Sequence, residues 1–400
     1  KIVVIIARYT SNEDIKILGK GEHPSKGLDR GIINDIQEAK KSLDEAVKMA
    51  ENEAEYNIKE AYVGITGDIK GVAGIGKIMI GKNHQKNLEG QSITQDDINE
   101  VIKKAKDVIL PNNSRILHTN ITQYKVDKRD GITNPIGLTG HILEVNAHLV
   151  ISQKNIEKDL QKCLEAIGVH VIQFVFEPIA SACSVLSNDE KDLGIALIDI
   201  GGGTTDIIIY HKGGIQYTDT ISYGGEIITQ DITHGLITSK TQAEKIKLNY
   251  GTAKSALADD TPNIKISGIR GQESKEVSEK DISLIIEPRL REIFEFVKDK
   301  LLTNNLTKKL NFGLVITGGG SQMNNIIDLA QEIFGINVKI GVPHSIEDLN
   351  ESMNTPKYAT AIGLINYAIE EKKLEALPLP SIPWYENIIN YIKNGIRKLY

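Results

Sequence analysis

Aromatic side chains are scarce in this 400-residue sequence, at 5% of the total with a single tryptophan, and the net charge is -6. Few rings and an acidic balance leave little with which to stack bases or neutralise a phosphate backbone, so no nucleic acid partner is expected. Cysteine is scarcer still. Cys163 and Cys183 offer neither zinc-ligand spacing nor a disulfide framework, which points to a reducing compartment. The nine histidines show no paired metal-ligand spacing. No apolar run reaches the roughly 18 residues a membrane span needs, and the opening residues have no signal-cleavage pattern. What remains, 40% apolar and 25% charged residues, is the composition of a globular chain with two to four compact units.

Strands alternate with helices, so the expected fold class is α/β. Residues 1–9 (KIVVIIARY) are β-branched, and residues 15–18 read as their hairpin partner. Asn34 is expected to cap a surface helix in which Ile36, Ala39, Leu43, Val47 and Ala50 recur at helical spacing. Residues 61–66 are strand-like, and residues 71–148 read as an inserted subdomain. Residues 194–199 and 312–317 are apolar enough for buried strands, and Ser278 with Asp281 is a capping pair for a long helix. The hairpin pattern after residue 203 repeats the layout of the opening hairpin, an internal echo.

Two glycine runs carry the chemistry. DIGGGTTD (residues 199–206) follows a buried strand. Gly201, Gly202 and Gly203 let backbone N–H groups approach an anion, Thr204 and Thr205 add hydroxyl donors, and Asp199 is placed to hold Mg2+ through its waters. ITGGGS (residues 316–321) brings Gly318, Gly319 and Gly320 to a turn expected to open a helix at Ser321. Between the runs, Glu244 and Lys247 share a helical face suited to ribose hydroxyls and to base or phosphate. Glu177, which opens EPIASA (residues 177–182), is a candidate to orient a hydrolytic water, with helix capping as the competing role. GVAGIGKI (residues 71–78) nearly matches a phosphate-loop pattern, but Ile78 stands where a hydroxyl must bind magnesium, and strand-like residues follow.

The last residues read as one amphipathic helix. On a helical wheel Trp384, Tyr385, Ile388, Ile389, Ile392, Ile396 and Leu399 fall on one half, and Lys393, Arg397 and Lys398 on the other. Behind the proline-rich linker LPLPSIP (residues 377–383), this composition suits a helix lying in an anionic lipid surface.

In their order along the chain, these motifs resemble the superfamily of actin, the heat-shock chaperones and the sugar kinases. Within it the sequence is similar to the FtsA family of bacterial cell-division proteins. The resemblance is carried by GIINDIQEA, GITNPIGLTGHILEVNAHLV, VIQFVFEPIASACSVL, DIGGGTTDI, IIEPRLREIF and ITGGGS. It implies an actin-like two-lobed ATPase fold with an inserted 1C subdomain in place of 1B. The implied division is subdomain 1A at 1–72 and 149–190, 1C at 73–148, 2A at 191–228 and 312–376, and 2B at 229–311. The linker at 377–383 and membrane helix at 384–400 complete it. A first phosphate loop of Asp-x-Gly-Thr type is expected ahead of Lys1, outside the sequence as given. The resemblance further implies ATP and Mg2+ as cofactors and, at most, weak ATPase activity. It implies self-association into filaments, other division proteins bound through 1C, and the C-terminal tail of FtsZ bound on 2B, with Arg289 and Arg291 as candidate contacts. The implied location is the cytoplasmic side of the cell membrane at the division septum, as a peripheral protein. A PilM-like pilus adaptor and a small-molecule kinase of the same superfold are the alternatives.

Overall fold

The computed structural model describes residues 1–9, 15–81, 90–266, 274–344, 346 and 351–376. The linker and amphipathic helix read from the sequence lie outside the described residues.

The first lobe opens with an antiparallel hairpin, Ile2–Tyr9 with Ile15–His23, covered by helix Ile36–Ala54. The contact is close because small residues face each other. Ala46 and Ala50 are fully buried, and a Cβ on Gly21 would stand 1.8 Å from the Ala46 carbonyl oxygen. The helix is capped by Asp35, whose Oδ1 accepts from the N–H groups of Gln37 and Glu38, and not by Asn34 as the sequence suggested. The aspartate wins because its side chain reaches the second and third helical N–H groups while its own backbone stays extended. Strands Glu60–Ile65 and His170–Phe176 pair in parallel in the same lobe.

Between them lies the insert. Strands Lys70–Met79, Ile142–Gln153, Ser114–Val126 and Arg129–Ile132 form a four-stranded antiparallel sheet with helix Gln95–Ala105 on one face. The glycines that imitate a phosphate loop have a packing role here. Gly74 and Gly76 alternate onto the helix side of their strand, where a Cβ would come within 2.4 Å of the Ala105 oxygen and 2.0 Å of the Val101 oxygen. The residues after them continue a strand, so the loop-to-helix geometry of a phosphate loop is absent at this place.

The second lobe is built on a five-stranded sheet in the order Gly214–Ile221, Thr205–His211, Ile195–Ile200, Gly313–Thr317, Val338–Ile340. The first three strands run antiparallel to one another and the last two join in parallel. Ile195, Ile198, Ile200, Ile207, Ile208 and Ile209 are all completely buried, as expected for strands covered on both faces. Helix Glu279–Thr303, with its Ser278 and Asp281 capping box, packs against this lobe's core. The opening hairpin and the hairpin Thr205–His211 with Gly214–Ile221 have the same layout, as the internal echo suggested.

Candidate functional site: the cleft between the lobes

Strands Ile195–Ile200 and Gly313–Thr317 are parallel neighbours in which Asp199 stands opposite Thr317. Both glycine runs therefore leave the sheet at the same edge, the carboxyl ends of adjacent parallel strands, where open α/β sheets form ligand crevices. Gly318 adopts a φ of +83°, and a Cβ on it would meet Asp199 Oδ1 at 2.3 Å, so only glycine fits. A Cβ on Gly320 would meet Ile200 Cγ2 at the same distance. Gly202 and Gly319 differ from both. Nothing lies within 4 Å of the Cβ position of Gly202, and at Gly319 the nearest atom, Lys357 Cβ, is 4.0 Å away. Their open sides leave room for a bound group.

The second run does not open a helix at Ser321. Gly319–Gln322 is a single 3-10 turn closed by the Ser321 hydroxyl on the Gly318 carbonyl (2.8 Å), and the helix Ile326–Phe334 begins only afterwards. Three consecutive glycines disfavour helix, and the turn holds the backbone beside Ile200 instead.

Hydroxyls hold the buried carboxylates of the cleft. Asp199 accepts from Ser181 (2.6 Å) and Thr360 (3.3 Å), and burial raises its pKa. Asp206 accepts from Thr220 (2.6 Å), Thr66 (2.8 and 3.0 Å) and Thr204 (3.2 Å). Burial pushes Asp206 up to about 7 despite these bonds, which favour its charged form. Glu177, partly buried at the start of helix Glu177–Val185, is pushed up to about 8, first by burial and then by the charges of Asp206 and Asp199. Gly64 leaves it room: a Cβ there would stand 3.3 Å from Glu177 Cγ.

Several expected phosphate contacts have other partners. The Thr204 hydroxyl donates to Asp206 and the Thr205 hydroxyl to the Tyr223 carbonyl (2.8 Å), so both serve the cleft wall. The Gly201 N–H closes the turn on the Thr204 carbonyl (2.9 Å), and the Gly201 and Gly202 carbonyls accept from Gly225 (2.9 Å) and Glu226 (2.7 Å). Lys247, with its side chain 10% exposed, engages Gly225 O, Thr229 Oγ1 and Glu244 Oε2, each at 2.8 Å. All three ammonium protons are thereby used, so Lys247 braces the start of helix Gly225–Leu236 and does not extend into the cleft. Glu244 remains 44% exposed. Arg289 pairs with Asp231 (2.7 Å) and Glu292, and Arg291 with Glu287 and Glu332 (2.9 Å each).

Asp206, Thr66, Thr220, Ser181 and Thr360 join the site without having been named as site residues from sequence. Asp206 had a legible signal, a lone carboxylate in an otherwise apolar buried strand, and Ser181 lies one helical turn after Glu177. Thr66, Thr220 and Thr360 come from distant segments and had none.

The family model described as "Cell division protein FtsA" matches residues 196–363, and that described as "SHS2 domain inserted in FTSA" matches residues 78–151. The Cell division protein FtsA of Pseudomonas aeruginosa is 34% identical over 373 residues, covering 93% of this chain and 88% of that protein. That of Neisseria meningitidis is 35% identical over 390 residues, covering 95% and 90%. The chain belongs to the FtsA family. Its fold is accordingly the actin-like two-lobed α/β fold, and the four-stranded insert is the FtsA-type SHS2 insertion. A solved structure, the PilM-PilN type IV pilus biogenesis complex, aligns with a TM-score of 0.60 over 92% of this chain and 94% of that one. At 12% identity this likeness speaks for the shared fold alone. Among the described residues no helix is long and apolar enough to cross a membrane.

Proposed function

We propose that this FtsA-family chain binds ATP with magnesium in the cleft and serves as an adaptor that self-associates on the membrane and anchors FtsZ there at the division septum. The observation that carries the reading is the register of Asp199 with Thr317, which brings two glycine turns to one edge with Gly202 and Gly319 open to a ligand. The residues fit the nucleotide. Backbone at 202–203 receives phosphate, with the Gly201 N–H holding the turn on Thr204, the turn at 318–320 receives adenosine, and the exposed Glu244 carboxylate accepts ribose hydroxyls. Asp199 would hold magnesium through its waters, and the ion would supply neutralisation of phosphate charge. Glu177 orients a water, and hydrolysis is slow and secondary to control of assembly.

The subdomain division proposed from sequence assigns the insert to 1C and residues 229–311 to 2B. FtsZ docking through Arg289 and Arg291 has a condition attached. The acidic tail competes with Asp231, Glu292, Glu287 and Glu332 for guanidinium groups already paired, which suits a weak, salt-sensitive contact. Other division proteins are assigned to 1C and filament contacts to a second copy of the chain.

Membrane attachment is assigned to residues 384–400. Each cation near an anionic surface contributes on the order of 1 kcal/mol, whereas each fully buried large apolar side chain contributes about 1.5–3 kcal/mol. In co-sedimentation with anionic vesicles, Trp384→Glu or Ile388→Glu therefore releases the protein more completely than Arg397→Ala. Equal loss in all three contradicts an anchor driven by burial, and vesicle binding unaffected by any of them removes the membrane role from the tail.

A further inference from the structure

Two long strands of the insert, and the turn that leads from the first lobe into it, meet the cleft through three buried hydrogen bonds. Thr66, just ahead of strand Lys70–Met79, donates to Asp206 across the lobes (2.8 Å). His148, on strand Ile142–Gln153, shares a hydrogen bond with Thr218 (2.9 Å), and Thr218 lies on the same strand as Thr220, the second threonine that holds Asp206. His118, on strand Ser114–Val126, accepts the N–H of Phe176 (3.0 Å), the residue immediately before Glu177.

These contacts have little slack. A Cβ on Gly71 would stand 2.4 Å from both the His148 ring and the Thr218 hydroxyl, and one on Gly214 would stand 3.0 Å from Thr122 Cα. His118 is fixed edge-on against Tyr367, whose hydroxyl Gln173 holds at 2.9 Å. A buried donor or acceptor left without its partner is costly, so the cleft wall and the root of the insert move together or not at all.

We propose that the insert is coupled to occupancy of the cleft: a ligand bridging the lobes secures the Thr66–Asp206 and His148–Thr218 contacts and fixes the root of the insert. Thr66, His118 and His148 are the positioning residues of this coupling. It rests on the nucleotide reading given above. Linkage makes the coupling reciprocal, so whatever binds and steadies the insert tightens nucleotide binding by the same factor. The insert thereby becomes a place from which a division partner regulates the cleft.

Hydrogen exchange on the full chain, with and without a non-hydrolysable ATP analogue and Mg2+, tests the proposal. In the parent protein the analogue slows exchange in strands Lys70–Met79 and Ile142–Gln153 by about fivefold or more. Thr66→Val, which keeps the shape and removes the donor, reduces that response to less than about twofold. His118→Leu does the same, whereas His118→Gln, which retains an acceptor, preserves it. An analogue that binds without slowing exchange in the insert overturns the coupling, as does a full response in Thr66→Val and His118→Leu. If calorimetry shows that the parent does not bind the analogue, the nucleotide reading fails, and the ligand-free comparison decides the coupling. There Thr66→Val alone must speed exchange in strand Lys70–Met79 while leaving helix Glu279–Thr303 unchanged, and unaltered exchange in the strand rejects it.

Discussion

Gly202→Val weakens ATP binding by on the order of 100-fold and leaves the fold intact. The Cβ position of Gly202 has no neighbour within 4 Å, so the added side chain starts from open space in the ligand-free protein and extends into the room assigned to phosphate. Losing one or two backbone hydrogen bonds to a charged group costs about 3 kcal/mol, or on the order of 100-fold in Kd. Gly320→Val is the contrasting change. Its Cβ would press on Ile200 at 2.3 Å, so it lowers thermal stability with or without nucleotide, by about 1–3 kcal/mol as overpacked cores do. Calorimetric titration beside thermal melts separates the two. Unchanged ATP affinity in Gly202→Val takes the phosphate away from this turn.

The second large effect is a dependence of stability on pH that belongs to the cleft. Glu177 and Asp206 keep their protons in the folded protein up to about 8 and about 7, against ordinary carboxyl values of 4.5 and 3.8. In the unfolded chain both ionise near their ordinary values, so between pH 4 and 8 the folded state binds more protons than the unfolded one. The stability these groups contribute is complete below pH 4, declines as pH rises and levels off above 8. Without ligand the melting temperature falls from pH 5 to 8, by on the order of 5 °C. Glu177→Gln and Asp206→Asn each flatten that slope, since a neutral amide has no proton to lose. Superimposable pH profiles for the parent and both variants place the proton uptake elsewhere.

How much of this was legible depends on the range of the interaction that decides each feature. The strands around Asp199 and Thr317 were readable because burial on both faces writes an unbroken apolar run, and the first glycine turn because aspartate and threonine flank its three glycines, which alone could equally make a tight hairpin. Asp35 displaced Asn34 as helix cap by a single position, a choice set by local backbone angles that two adjacent capping residues do not reveal. The helix expected at Ser321 failed because three consecutive glycines disfavour it locally and because Gly320 packs on Ile200. Lys247 looked available on its helical face, yet its partners Gly225 and Thr229 belong to another helix. Thr204 and Thr205 have the chemistry of phosphate donors, but the structure turns one toward Asp206 and the other toward Tyr223. The hydroxyl cage of Asp206 joins residues 66, 204 and 220, which no local pattern links. Gly74 and Gly76 imitate a nucleotide motif by composition, while their alternate spacing already belongs to a strand with one face under a helix.

Photocrosslinking with 8-azido-ATP and magnesium, followed by peptide mapping, tests the two-turn cleft most directly. The account predicts label on the peptide that holds residues 318–324 and on helix Lys240–Tyr250, both abolished by excess ATP and by Gly202→Val. Label confined to other segments, or competed by ATP yet indifferent to Gly202→Val, contradicts a single nucleotide held between the two glycine turns.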